Sequence, residues 1–386
     1  MLPLKKLVCI LLCALLVCAL PQKSSALTYG KTEIFLDAPP LSAKSAVLLD
    51  ASTNSIICQE DAHTKRAMAS TTKIMTALVA AELCELNRVV SVNEGAVGVE
   101  GSSVYLYAGE RLTMYELLCA MLLESANDAA AAIAFEVGGS IEGFCDLMNK
   151  KAVELGLSNT HFTNPHGLYD EEHYTTAYEL ALIASAALEN EEIRNIVSTK
   201  KMTIGTDGGT QRVLYNHNKM LSMYDGAIGL KTGFTKKSGR CLVSAAERDG
   251  LTLVAVTIDA PDDWNDHKKL LDLGFDNLSS LFLCKKGSIA TTLSVIGGRE
   301  ESVSLAYASS LSLTLPKNKA AEIKCSIESY TRYLFAPIPY GQAIGRAVFY
   351  LDGEIVASAE LVTCAAVERR DKSHRLLEWL KNLFAK

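Results

Sequence analysis

Apolar positions along the chain change period from one stretch to the next. From Leu7 to Leu20 they are continuous. Ser45-Ala-Val-Leu-Leu and Ser55-Ile-Ile-Cys-Gln are then two short apolar runs parted by the turn-rich Asp50-Ala-Ser-Thr-Asn, which predicts a hairpin. Helical patterns follow, from Ile74 to Leu83, from Met114 to Leu123, after Glu124-Ser-Ala-Asn-Asp, and from Tyr174 to Leu188. Ser70 or Thr71 is placed to cap the first of these. Between the last two, Leu157 to Tyr178 is loop-like. Three strands are predicted next: one ending at Lys231-Thr232-Gly233, one from Cys241, and one from Leu251, the latter two joined through Glu247-Arg-Asp-Gly. Beyond Leu283 the runs are short and β-like, and Asp352-Gly353 marks a further hairpin.

The first run reads as an address, because Met1 to Lys6 is basic, the apolar core is too short for a comfortable membrane span, and Ser24-Ser25-Ala26 supplies small residues for cleavage. Residues 1–26 are therefore expected to be a signal peptide, with residues 27–386 exported. At 386 residues, 49% apolar and 21% charged, the chain is long enough for two folded domains and unlike a disordered one. Of eleven cysteines, eight lie beyond the signal, scattered and without a Cys-x-x-Cys pair. They read as small buried hydrophobes; disulfides are permitted, but pairing stays open. His161, His166 and His173 lack the helical spacing of a metal site, so no metal and no cofactor is expected. The formal charge of −6 argues against nucleic acid as a partner.

Candidate chemistry sits in three stretches. Ser70 and Lys73 are three residues apart at the start of an apolar helix and so share one face, which suits a hydroxyl nucleophile beside its base. Ser125 and Asn127 flank one small residue where two helices meet, and as a pair they equally suit a helix stop and cap. Lys231-Thr232-Gly233 ends a strand, where the glycine lets another backbone approach.

Ser70-x-x-Lys73, Ser125-Ala126-Asn127 and Lys231-Thr232-Gly233, in this order, form the motif set of penicillin-binding proteins and β-lactamases. The chain most closely resembles the low-molecular-weight penicillin-binding proteins that are serine D-alanyl-D-alanine carboxypeptidases. The likeness extends to Asn164-Pro-His-Gly-Leu and Lys231-Thr-Gly-Phe-Thr; Met68 departs from it, standing where many relatives carry proline. This resemblance implies an α+β fold: a β-lactamase/transpeptidase-like catalytic domain over residues 27–283, with an antiparallel sheet and helices, then a small all-β domain over 284–365. It implies Ser70 as nucleophile, Lys73 as base and Ser125 as proton relay. Asn127, Lys231, Thr232, Gly233 and Phe234 would bind substrate, and the backbone N–H groups of Ser70 and Phe234 would form an oxyanion hole. The implied substrate is the peptidoglycan pentapeptide stem, with β-lactam antibiotics as covalent inhibitors. A D,D-endopeptidase stays open. A β-lactamase fits less well, because no Glu-x-x-x-Asn follows Leu157, and a tethered peptidoglycan-binding protein without activity conflicts with the intact motifs.

The tail adds a membrane partner. From Arg375 to Lys386, Leu376, Leu377, Trp379, Leu380, Leu383 and Phe384 fall on one helical stripe. Residues 366–386 hold six Lys or Arg against three Asp or Glu, whereas residues 27–365 hold 29 against 41. A basic amphipathic helix suits an anionic bilayer surface, so residues 366–386 are expected to anchor the exported protein peripherally.

Overall fold

The structure, a computed structural model, describes residues 35–205 and 210–370. Both the predicted signal peptide and most of the predicted tail lie outside these residues. Two compact units divide the described residues, one within residues 35–281 together with Leu313–Ala321, the other formed by Phe282–Ser312 and residues 322–370.

The larger unit is built on a five-stranded antiparallel sheet. Its first hairpin is β1 (Ser45–Asp50) and β2 (Ser55–Glu60), as the two runs predict. Helices α1 (Lys73–Leu83), α2 (Met114–Leu123), α3 (Asn127–Gly138), α4 (Ile141–Glu154), α5 (Ala177–Leu188) and α6 (Glu191–Ser198) follow. Interspersed are two ribbons, β3 (Val89–Ser91) with β4 (Arg111–Thr113) and β5 (Lys201–Ile204) with β6 (Arg212–Tyr215), then the short α7 (Met220–Met223). Strands β7 (Ala227–Thr235), β8 (Gly239–Arg248) and β9 (Leu251–Ile258) complete the sheet in the order β2-β1-β9-β8-β7, and α8 (Asp263–Asn277) closes the unit. β7 thus lies at an edge. It runs two residues beyond Gly233, where the sequence suggested it would end, because Phe234 and Thr235 still pair with Arg240 and Gly239.

Near-continuous apolar strands signify burial on both faces here. In β1, Val47 and Leu49 enter one core while Ala46 and Leu48 enter another, and β9 divides Val254 and Val256 from Leu253 and Ala255 in the same way. The first core packs against α1 to α6 and the second against Leu270, Leu271 and Phe275 of α8. In α1 every residue from Lys73 to Ala80 is buried, as its mostly apolar circumference requires.

In the smaller unit, β11 (Ile289–Ile296), β12 (Ser302–Tyr307), β14 (Lys324–Ser329), β15 (Tyr333–Phe335), β16 (Ala343–Leu351) and β17 (Glu354–Thr363) form one sheet, in the order β14-β16-β17-β12-β11-β15. The chain also contains the pair β10 (Leu278–Cys284) and β13 (Leu311–Pro316). Residues read from sequence as the start of the tail belong to this β structure: Val367, 2% exposed, bridges to Ile338, and Arg370 N donates to Gly297 O. Backbone pairing here outweighs the charge pattern that suggested an anchor from residue 366. All eight cysteines beyond the predicted signal are unpaired.

Candidate functional site

Ser70 lies in Ala69–Thr72, one 3-10 turn leading into α1. No side chain caps either helix. The cap expected of Ser70 or Thr71 is replaced by back-bonding, in which Thr71 Oγ1 donates to Met68 O at 2.6 Å and Thr72 Oγ1 to Ala69 O at 2.8 Å. Ala69 is held at φ +48°, a left-handed conformation unusual for a residue with a Cβ. From below, Gly167 (φ +91°) presses on this turn so closely that a Cβ there would sit 1.9 Å from Ala69 O and 2.9 Å from Ser70 N. From the side, Gly233 of β7 would bring a Cβ to 3.1 Å of Ser70 N. The nucleophile candidate is therefore wedged between the 157–178 loop and the sheet edge.

Lys73 is wholly buried, and its Nζ lies 3.0 Å from Ser70 Oγ, 2.7 Å from Asn127 Oδ1 and 2.6 Å from His166 O. The latter two are acceptors only. A neutral amine has two N–H bonds, and those two oxygens consume both, leaving its lone pair for the Ser70 hydroxyl. Burial, reinforced by the charge of Lys231 and opposed by that of Asp128, holds the Lys73 ammonium well below its ordinary range. Lys231 is itself buried, donates to Thr232 O at 3.0 Å, and is pushed down to about 7 by desolvation.

Asn127 is fixed on three sides. Its Nδ2 donates to Glu100 O at 2.5 Å and its backbone N to Ser102 O at 2.7 Å, while Oδ1 receives Lys73. Gly101 (φ +98°) permits that approach, since a Cβ there would lie 2.7 Å from the amide nitrogen. The neighbouring Asp128 carboxylate accepts from Ser103 Oγ and from the N–H groups of Val104, Leu106 and Ala129. Ser125, at φ +62°, stands at the junction of α2 and α3. No hydrogen bond joins its hydroxyl to Lys73 or Lys231 among the described residues.

A cleft of about 440 Å³ is lined by Ser70, Ser125, Thr232, Gly233 and Phe234, so these five predicted residues meet around one space. Lys73, Asn127 and Lys231 sit behind it. Sequence reasoning missed the rest of the lining: Ser102, His217, Lys219, Arg240, Asp263 and Trp264. Arg240 forks onto Asp263 at 3.0 and 3.1 Å, and His217 Nε2 lies 3.1 Å from Glu124 Oε2. Arg240 is readable afterwards as the cross-strand partner of Phe234; His217 and Lys219 carry no signal beyond their charge.

The loop histidines are structural. Thr163 N donates to His173 Nδ1, which leaves the proton on Nε2 to be donated to Thr72 Oγ1 at 2.8 Å, and burial holds this ring neutral with its pKa at about 4. His166 is driven to about 3 by burial and by Lys73.

Comparison with known proteins is consistent along the chain. Residues 33–262 match the family described as D-alanyl-D-alanine carboxypeptidase, and residues 280–369 match the penicillin-binding protein 5 C-terminal domain. The D-alanyl-D-alanine carboxypeptidase DacF of Bacillus subtilis is 33% identical over 326 residues, covering 82% of this chain and 84% of that protein. The crystal structure of penicillin-binding protein 5 from Haemophilus influenzae superposes with a TM-score of 0.72 at 30% identity, over 86% of this chain and all of that one. A mutant of the Streptomyces K15 DD-transpeptidase superposes with a TM-score of 0.59 at 32% identity, over 62% of this chain and 99% of that one.

Proposed function

Because the chain belongs to the D-alanyl-D-alanine carboxypeptidase family, we propose that it removes the terminal D-alanine from peptidoglycan pentapeptide stems through an acyl-enzyme on Ser70. The observation that carries this reading is the environment of Lys73: buried, depressed in pKa, and saturated by two acceptor-only oxygens so that its lone pair faces Ser70 Oγ at 3.0 Å. The distance lies within the reach of general-base transfer, a contribution of about 10² to 10⁴ in rate.

In the proposed reaction Ser70 Oγ attacks the carbonyl carbon of the penultimate D-alanine as Lys73 takes its proton. The oxyanion is held by the backbone N–H groups of Ser70 and Phe234. Ser125 passes a proton to the departing amine, and the C–N bond breaks to release D-alanine. Thr232 and the charge of Lys231 receive the terminal carboxylate, and Asn127 holds Lys73 and the substrate amide. Water then attacks the Ser70 ester, frees the shortened stem and restores the hydroxyl. β-Lactams mimic the D-Ala-D-Ala terminus and acylate the same oxygen.

The test is D-alanine release from a soluble pentapeptide ending in D-Ala-D-Ala, with Ser70→Ala alongside, and intact mass after benzylpenicillin. We expect release by the wild type, none above background by the mutant, and one adduct on the wild type alone. A folded wild type that neither releases D-alanine nor forms the adduct would defeat the reading. A second reading concerns the acyl acceptor, since the similar Streptomyces K15 protein is named a DD-transpeptidase. Adding an amine acceptor to the same assay separates hydrolysis from transfer, and a cross-linked dimer tests endopeptidase action. The signal and the basic tail support an exported protein held peripherally at the membrane surface.

A further inference from the structure

The loop between Gly101 and Glu110 holds a conformation that the proposed reaction does not use. Tyr105 has φ +57° yet is 85% exposed, between the buried Val104 and Leu106. A bulky residue in the left-handed region is strained and persists only where its surroundings impose it. They do so here. Tyr105 N donates to Ser103 Oγ at 2.9 Å, and that hydroxyl donates to the buried Asp128 carboxylate at 2.6 Å. Leu106 N donates to the same carboxylate at 3.0 Å. On the other side Arg212 donates to Val104 O at 2.6 Å and Tyr105 O at 3.0 Å, and is itself held by the Glu110 carboxylate at 2.6 and 3.0 Å.

All of this grips backbone; none of it touches the ring. Among the described residues the Tyr105 side chain makes no hydrogen bond, ring stack or cation contact, although a buried acid and an arginine are committed to presenting it. The loop is continuous with the cleft, because Ser102 lines the space that Ser70 faces and Ser102 O is bonded to Asn127 N. Tyr105 lies three positions beyond Ser102, at most about 10 Å of chain, and with the penultimate D-alanine at Ser70 the four stem residues that lead to the sugar span about 13–14 Å when extended. A stem seated in this way carries its sugar over a length comparable with that from the cleft lining to this ring.

We propose that Tyr105 is a stacking platform for the pyranose ring of the glycan bearing the stem. This rests on the carboxypeptidase reading and extends it to substrate class: the ligand is glycan-linked stem, recognised at both ends. An exposed aromatic face suits the C–H face of a pyranose, and the phenol at its edge suits the sugar's hydroxyls. Because the backbone is held in advance, stacking has only the two side-chain torsions of the tyrosine to order on binding.

The experiment compares D-alanine release from a free pentapeptide and from the same pentapeptide on an N-acetylmuramyl disaccharide, for wild type, Tyr105→Asn and Tyr105→Phe. Asparagine tolerates left-handed φ, so the loop is kept while the ring is lost; matching melting temperatures check this. We expect Tyr105→Asn to raise KM about five- to tenfold for the glycan-linked substrate with kcat unchanged, to leave the free peptide unaffected, and Tyr105→Phe to retain most of the difference. Equal effects on both substrates, or no effect on either while the wild type releases D-alanine, would overturn the platform alone. A folded wild type inactive on both would overturn the carboxypeptidase reading, and the platform with it.

Discussion

Two buried lysines set the pH behaviour at the residue scale. Lys73 works only without its proton, so kcat/KM rises with pH as that depressed group titrates; Lys231 works only with its proton, so kcat/KM falls above about 7. As the pair interacts, the two limbs belong to the pair. In Lys231→Met the repulsion that lowers Lys73 is gone, so the acid limb should move to higher pH along with a loss of carboxylate binding; a pH–rate profile checks both. Linkage adds a stability prediction. Below about 7 folded and unfolded chains both hold the Lys231 proton, and between about 7 and 10.5 only the unfolded chain does. Stability from this group therefore rises with pH across that window. Urea midpoints at pH 6 and pH 9 should show a rise in the wild type that is smaller in Lys231→Met.

Elements meet where backbone touches backbone, and glycine decides whether they can. Gly167→Ala would drive a Cβ into Ala69 O and toward Ser70 N, in addition to straining φ +91°. We expect about 2–4 kcal/mol of lost stability and more than tenfold lower kcat/KM. Gly109 supplies the comparison: it too has positive φ (+78°), but a Cβ there meets nothing within 4 Å. Gly109→Ala should cost only about 1–2 kcal/mol, with normal turnover. Thermal melts and steady-state rates on the two variants separate strain from collision. The hairpin of β1 and β2, α2 and α5 were all legible as periodic segments. The start of α1 was not, because Ser and Thr near a helix terminus can either cap donors or bond back to carbonyls, and only the wedge formed by the 157–178 loop selects the second.

At the scale of the whole molecule, two units share the chain, Leu313–Ala321 returning to the larger one, and the net charge divides between an acidic body and a basic tail. Residues 367–370 are bonded into the β unit, so a tail truncation should begin after Arg370. Removing residues 371–386 should abolish binding to anionic vesicles in a sedimentation assay while leaving D-alanine release from a soluble peptide unchanged. Persistent vesicle binding by the truncated chain would place the membrane contact elsewhere.

Residue type and order specified which side chains could do chemistry, since a hydroxyl, two amines and a carboxamide in a known order need no fold to be recognised. Tertiary structure alone decided what those groups do to one another. His166 O, 93 residues away, accepts one Lys73 N–H bond and Asn127 Oδ1, 54 away, the other, while Glu100 O and Ser102 O orient Asn127. Three of these four are backbone carbonyls, which every residue carries, so no sequence pattern distinguishes the ones that matter. The burial that lowers Lys73 and Lys231 is likewise a sum over many distant neighbours, and it exists only once the helices have closed over the sheet.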